Sequence, residues 1–249
     1  MSAERQRIRA AFGAAAPNYD SVAGVQRRIA RALAAGIAPG DVLLDAGSGT
    51  GFLTKLLQER FPQACIWQLD AALGMCRQTG ERTICADLEV LPIADNSIEL
   101  YCSSLAWQWA RPALAAVEAF RVLKSGGRFH VATLGPGTLD ELRAAFHCVD
   151  ARPHVRSFDN TATHLDALAT AGFVDITFVQ GIEQTHSPNL PALLRELRTL
   201  GAHTLGPQRR QGMLGRQAWL RVQAAYEQWR QPAGLPVSYD VLYLHARKP

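Results

Sequence analysis

Val42-Leu43-Leu44-Asp45-Ala46-Gly47-Ser48-Gly49-Thr50-Gly51 joins an apolar run to an acid and then to three glycines on alternate positions. The run has the pattern of a parallel strand buried on both faces. Glycines directly behind it let the chain turn sharply and bring backbone N–H groups close to a ligand, with no Cβ in the way. The stretch therefore predicts a strand-to-helix turn that holds a nucleotide-like molecule. Several cofactor classes use such a turn, so the choice among them falls to residues downstream.

The same unit then repeats. Cys65-Ile66-Trp67-Gln68-Leu69 is a second strand ending at Asp70, with a short helix around Leu73 and Met75 behind it, and Thr83–Ala86 is a third ending at Asp87. A fourth strand is expected over Ile98–Ser103, a helix over 112–123 burying Leu114, Val117, Phe120 and Leu123, and a strand over 128–134 after Lys124-Ser125-Gly126-Gly127 ends that helix. Thr138 and Glu141 have capping-box spacing for a helix reaching about Cys148. A helix over roughly 162–171 and a strand over 173–179 follow. Upstream, 4–12 and 22–36 have helical spacing, the second with Val22, Val25, Ile29 and Leu33 on one face. Strands alternating with helices imply an α/β sheet with helices on both faces.

The last strand, Tyr239–His245, comes only after some fifty residues, too many for a bare loop. Leu190, Leu193, Leu194, Leu197 and Leu200 suit one helix there, and Trp219, Leu220, Val222 and Tyr226 another. The chain thus divides into N-terminal helices (1–38), a cofactor-binding core (39–180), a helical insertion (181–236) and a last strand (237–249), with the first and third forming a lid.

With 48% hydrophobic and 19% charged residues over 249 positions, the chain has enough apolar sequence for a full core. A net charge of +4 falls short of a nucleic-acid binder's basic stripe. The five cysteines are odd in number and lack CxxC spacing, which points to a reducing cytoplasm, and no His/Cys/Asp grouping has metal-ligand spacing. The charged start has no apolar segment behind it, and no run approaches the ~18 apolar residues that span a bilayer.

Phe52 stands where a dinucleotide fingerprint needs its third small residue, and nothing matches the phosphate-loop pattern G-x-x-x-x-G-K-[ST]. What remains resembles the class I S-adenosylmethionine-dependent methyltransferases, whose signature is a strand running into D-x-G-x-G-x-G, here Asp45 to Gly51. The resemblance implies a seven-stranded, mostly parallel Rossmann-like sheet with its last strand antiparallel and a helical insertion before that strand. It implies that Asp70 holds both ribose hydroxyls, as a carboxylate can for a diol. Asp87 and Leu88 would meet the adenine, and Asp45, Gly47, Ser48, Gly49, Ala71, Met75 and Ser104 would line the rest of the cofactor site.

Outside the shared fold the chain resembles the malonyl-[acyl-carrier protein] O-methyltransferases of biotin synthesis. The matching segments are Ala11–Asp20, Val25–Ala30, Ser104–Trp109, Thr133–Leu142, Val149–His154 with Phe158, and Leu197–Thr204. Departures fall at Trp107, Gly135-Pro136 and Gly206–Arg216. The resemblance implies methylation of a malonyl thioester's free carboxylate, yielding S-adenosylhomocysteine. Other readings are a different small-molecule methyltransferase of this fold or a non-catalytic S-adenosylmethionine-binding module; the intact glycines and both strand-end acids argue against decay.

A small anionic acceptor calls for a bidentate arginine with an amide or hydroxyl beside it. The candidates are Arg152, His154, Arg195, Arg198 and His203, and each of the arginines also reads as an ordinary surface residue. Tyr19 reads equally as a cover over the methionine end of the cofactor or as a half-buried staple for the N-terminal helix. Gln108, between Trp107 and Trp109, is assigned to the acceptor, because a buried amide needs partners; the two tryptophans read as pocket wall or as core. Arg195, Arg198, Arg209, Arg210, Arg216 and Arg221 concentrate charge on the insertion, as a solvated face or as a dock for the acidic carrier protein.

Overall fold

The computed structural model describes residues 3–150, 152–200 and 214–249. Helix α1 (Ala3–Ala15), a 3₁₀ turn (Ala16–Asn18), the short α2 (Tyr19–Val22) and α3 (Gly24–Ala35) precede the sheet. Then come β1 (Val42–Ala46), α4 (Phe52–Arg60), β2 (Cys65–Asp70), α5 (Leu73–Cys76), β3 (Thr83–Cys85), β4 (Ile98–Ser104), α6 (Pro112–Val122) and β5 (Leu123–Leu134). The chain continues through α7 (Asp140–His147), α8 (Thr161–Ala171), β6 (Val174–Ser187), α9 (Leu190–Thr199), α10 (Arg216–Glu227) and β7 (Leu235–Arg247).

The seven strands lie in the order β3-β2-β1-β4-β5-β7-β6, with β7 antiparallel to both its neighbours and the pairs from β3 to β5 parallel. Strand order reverses between β1 and β4, and in an open α/β sheet the crevice beyond the carboxyl ends at that point is where ligands bind. Successive β1 residues serve opposite faces: Leu43 packs in a core with Ile29, Leu33 and Leu57, while Leu44 joins Tyr101, Phe129 and Leu168 on the other side. Burial on both faces explains why β1 is a continuous apolar run.

Four local expectations are corrected. In α6, Leu114 and Val117 are exposed, 40% and 51%, and the buried face is Ala115, Ala116, Ala119 and Val122. Small side chains let this helix lie close against the sheet, and Leu123 is buried as the first residue of β5. The helix ends because Leu123 is extended (φ −68°, ψ 139°), whereas Gly126 adopts its left-handed φ of +75° further on and donates its N–H to Lys248 O. The capping box does not form. Thr138 Oγ1 instead receives the Asp240 N–H (3.1 Å), and Glu141 accepts from the Ser238 hydroxyl, so both residues tie α7 to β7. Leu220 is 54% exposed, leaving Val222 and Tyr226 as the buried residues of α10. The strands β6 and β7 also run longer than their apolar centres suggest, pairing continuously from Thr177↔His245 to Ser187↔Leu235. Among the described residues, no helix is long and apolar enough to cross a membrane.

Candidate active site

Behind β1 the chain turns across the end of β2, where Gly47 and Ser48 both donate their N–H to Leu69 O, at 2.6 and 2.9 Å. Gly47 (φ +81°) sits against Ala106, leaving no room for a side chain. Gly49 (φ +56°) faces the opposite situation: a Cβ there would meet nothing within 4 Å, and its N–H donates to Asp70 Oδ2 at 2.9 Å. The open side of this turn is the wall of a cavity also lined by Tyr19, Asp45, Ser48, Asp70, Ala71, Met75, Asp87, Leu88 and Ser104. Every cofactor-binding residue expected from the sequence is therefore brought to one place.

The polar atoms of this cavity fit S-adenosylmethionine. Asp70 Oδ1 accepts from the Ala72 N–H at 2.7 Å, so each of its oxygens has one donor and retains capacity for one ribose hydroxyl. Asp45 is buried, with Oδ2 accepting from Thr54 Oγ1 at 2.7 Å, while Oδ1 and the Ser48 hydroxyl are buried without a partner. Such orphaned atoms mark a site that a polar ligand completes. Burial pushes the Asp45 carboxyl up to about 7, with the Asp70 charge adding to the shift and Thr54 opposing it. Burial also raises Asp70, opposed by the N–H groups of Ala72 and Gly49 and by Arg9. Tyr19 is raised by burial, then by the nearby Asp70 and Asp20. Its segment is held to the glycine turn by Thr50 Oγ1, which donates to Asp20 Oδ1 at 2.7 Å.

Helix α1 reaches the Asp87 side of the cavity with two arginines that sequence reading missed. Arg5 and Arg9 each place a guanidinium nitrogen 2.9 Å from an Asp87 oxygen, and Arg5 also meets Glu89 at 2.7 Å. No spacing signal connects residues some eighty positions apart.

A second cavity adjoins the first, and Phe12, Tyr19, Gln26, Leu105 and Trp109 line both. Its remaining wall is largely apolar, in good part from α7, α9 and Tyr239, with Gln108, Thr138, His154, Arg156 and Arg198 among its polar residues. Gln108 Nε2 donates to Leu105 O at 2.7 Å and its Oε1 accepts from Thr133 Oγ1 at 3.4 Å. His154 stacks on Phe146 at 4.2 Å with Nε2 2.8 Å from Asp150 Oδ1.

Not every substrate candidate arrives. Trp107 is fully buried against Tyr101 and Phe129 and lines neither cavity; the 3₁₀ turn at Trp107–Trp109 aims it into the core and gives the shared wall to Trp109. Arg152 and Arg195 are exposed and also line neither, because Arg195 points away from the Leu193–Leu197 face of α9. Arg198 is exposed at the rim of the second cavity. His203, Arg209 and Arg210 lie outside the described residues. Gln26 was marked only as part of the Val25–Ala30 match, with no role of its own, and Arg156 not at all, since neither belongs to a motif that by itself implies a ligand.

This sheet and the cavity at its switch point define a class I S-adenosylmethionine-dependent methyltransferase, and S-adenosylmethionine is its cofactor. The pattern described as "Methyltransferase domain" matches residues 44–131. A malonyl-[acyl-carrier protein] O-methyltransferase of Dechloromonas aromatica is 44% identical, with 98% of this chain and 95% of the relative covered. One of Laribacter hongkongensis is 39% identical over 99% of this chain and 90% of the relative. An S-adenosylmethionine-dependent methyltransferase structure from Thermotoga maritima superposes with a TM-score of 0.58 at 16% identity, covering 97% of this chain and all of that one. The chain belongs to the malonyl-[acyl-carrier protein] O-methyltransferase family.

Proposed function

We propose that this enzyme methylates the free carboxylate of malonyl-acyl-carrier protein, producing its methyl ester and S-adenosylhomocysteine at an early step of biotin synthesis. The observation that carries the reading is the junction itself: a cofactor cavity and a mostly apolar acceptor cavity with cationic side chains share the wall formed by Phe12, Tyr19, Gln26, Leu105 and Trp109. S-adenosylmethionine supplies an electrophilic sulfonium methyl when bound. The names of the relatives support the acceptor, and the five free cysteines support a cytoplasmic setting.

A carboxylate of ordinary acidity, with a pKa of roughly 4, is already ionised at neutral pH, so the residues need not remove a proton. Their work is alignment, worth up to ~7–11 kcal/mol when geometry is well organised, and exclusion of water. Asp70 and the Gly49 turn fix the ribose, and Tyr19 covers the methionine end. Gln108 has one Nε2 hydrogen committed to Leu105 O and a second available to the acceptor.

Arg195, Arg198, Arg216 and Arg221 are all exposed on α9 and α10, a concentration of positive charge suited to an acidic carrier. Charge reversal at Arg216 and Arg221 is expected to raise KM for malonyl-carrier protein several-fold and leave KM for malonyl-coenzyme A unchanged. The decisive experiment incubates the enzyme with labelled S-adenosylmethionine and malonyl-carrier protein and reads the product by mass spectrometry. A gain of one methyl as an ester is expected; its absence overturns the assignment.

A further inference from the structure

We propose that Arg156 holds the acceptor carboxylate through its Nε–Nη2 edge, at the junction of the two cavities. The inference rests on the carboxylate-methylation reading and names the residue that selects an acidic acceptor.

Arg156 lies in the irregular segment between α7 and α8 and lines the acceptor cavity. Its guanidinium carbon stands 4.9 Å from the ring centre of Trp109, which lines both cavities and meets Phe12 edge-on at 5.2 Å. A guanidinium held over an indole face is attracted by the ring and kept in place. Nη1 donates to Glu4 Oε1 at 3.1 Å. Nε is buried with no hydrogen-bond partner, and among the described residues nothing accepts from Nη2. One edge of a cation is therefore anchored, and the two parallel N–H groups of the other edge have no acceptor among the described residues.

That second edge matches a carboxylate. Each oxygen receives one N–H, and each keeps a further in-plane lone pair, so the anion is oriented without losing its nucleophilic electrons. Among the described residues the other arginine lining the cavity, Arg198, is exposed on α9, a position suited to the carrier side of the substrate. The ligand class that follows is a short acyl thioester ending in a free carboxylate; the matching acetyl thioester lacks the group Arg156 would hold.

The test measures dissociation constants of malonyl- and acetyl-carrier protein for the full-length enzyme loaded with S-adenosylhomocysteine, in the wild type, Arg156→Gln and Arg156→Lys. Wild-type preference for the malonyl form is expected to be about 30-fold or more, falling below about 3-fold in Arg156→Gln. Arg156→Lys keeps the charge but not the fork and should fall between. Binding of S-adenosylhomocysteine within about 2-fold of wild type certifies the fold of each variant, and Arg156→Lys decides the matter if Arg156→Gln fails that criterion. An unchanged preference in a folded variant, alongside wild-type methylation of malonyl-carrier protein, overturns the role of Arg156 alone. No methyl ester and no malonyl preference in the wild type overturn the reaction assignment and the role together.

Discussion

A Cβ built on Gly47 stands 2.1 Å from the Cβ of Ala106, so the turn after β1 and the loop after β4 close on each other with only hydrogen between them. The contact joins the two sides of the switch point where the cofactor cavity opens. Gly47→Ala adds this clash to a left-handed φ that alanine resists, an expected cost of about 2–4 kcal/mol. Urea unfolding should show the loss, and titration calorimetry should show S-adenosylmethionine binding weakened by at least ~10-fold. A variant that keeps both wild-type values would mean that the two loops can separate freely.

Asp45 gives the apo-enzyme a definite pH dependence. Its folded pKa of about 7 lies above the unfolded value of 3.8, so as pH rises the unfolded chain gives up this proton first. The group's contribution is fully present below about pH 4 and declines as pH climbs to about 7, by an upper bound of roughly 4 kcal/mol. Asp45→Asn stays neutral throughout. The stability of wild type minus that of Asp45→Asn should therefore fall between pH 5 and 7 and level off above 8, as measured by denaturant midpoints. A flat difference would show that the carboxyl is ionised across the range.

Reading Trp107 as core separates its effects from those of Trp109. Its indole N–H donates to the Tyr101 hydroxyl at 3.3 Å and its ring meets Phe129 edge-on at 5.0 Å. Trp107→Phe should lower stability by about 1–3 kcal/mol through lost volume and the lost hydrogen bond. The dissociation constant of S-adenosylmethionine and the KM for the acyl acceptor should stay within about 2-fold. Trp109→Ala should do the reverse, raising the acceptor KM with little change in unfolding midpoint. Equal kinetic losses in both variants would return Trp107 to the substrate wall.

The difference between these two tryptophans shows where sequence reading ends. The glycine turn, Asp70 and Asp87 were legible because strand-end acids and alternate glycines are local patterns with a direct chemical reason. The buried face of α6 was not: the rule that bulky residues go inward gave Leu114 and Val117, whereas close approach to the sheet selected alanines. The capping box at Thr138 and Glu141 had the correct spacing, and β7 competed for both side chains. Arg156 was invisible for the same reason. Its significance comes from Glu4, 152 positions away, and from Trp109, neither of which any window of sequence places beside it.

Those long-range pairs make α1 part of both cavities, and this leads to a kinetic expectation. Arg5 and Arg9 bind Asp87 on the cofactor side and Glu4 binds Arg156 on the acceptor side, so one helix spans the junction through partly buried ion pairs. Individual pairs of this exposure contribute about 0.2–1 kcal/mol, too little to unfold the protein but enough to change how long the helix stays closed. Arg9→Ala should therefore leave the unfolding midpoint nearly unchanged, speed S-adenosylhomocysteine release by about 2- to 5-fold in stopped-flow displacement, and raise susceptibility to protease within residues 3–15. The same variant tested in 0.5 M salt should differ less from wild type, because screening weakens the ion pairs of both. Identical release rates at low salt would show that α1 stays docked without these charges and that its apolar contacts alone, chiefly Ile8 and Phe12, hold it over the site.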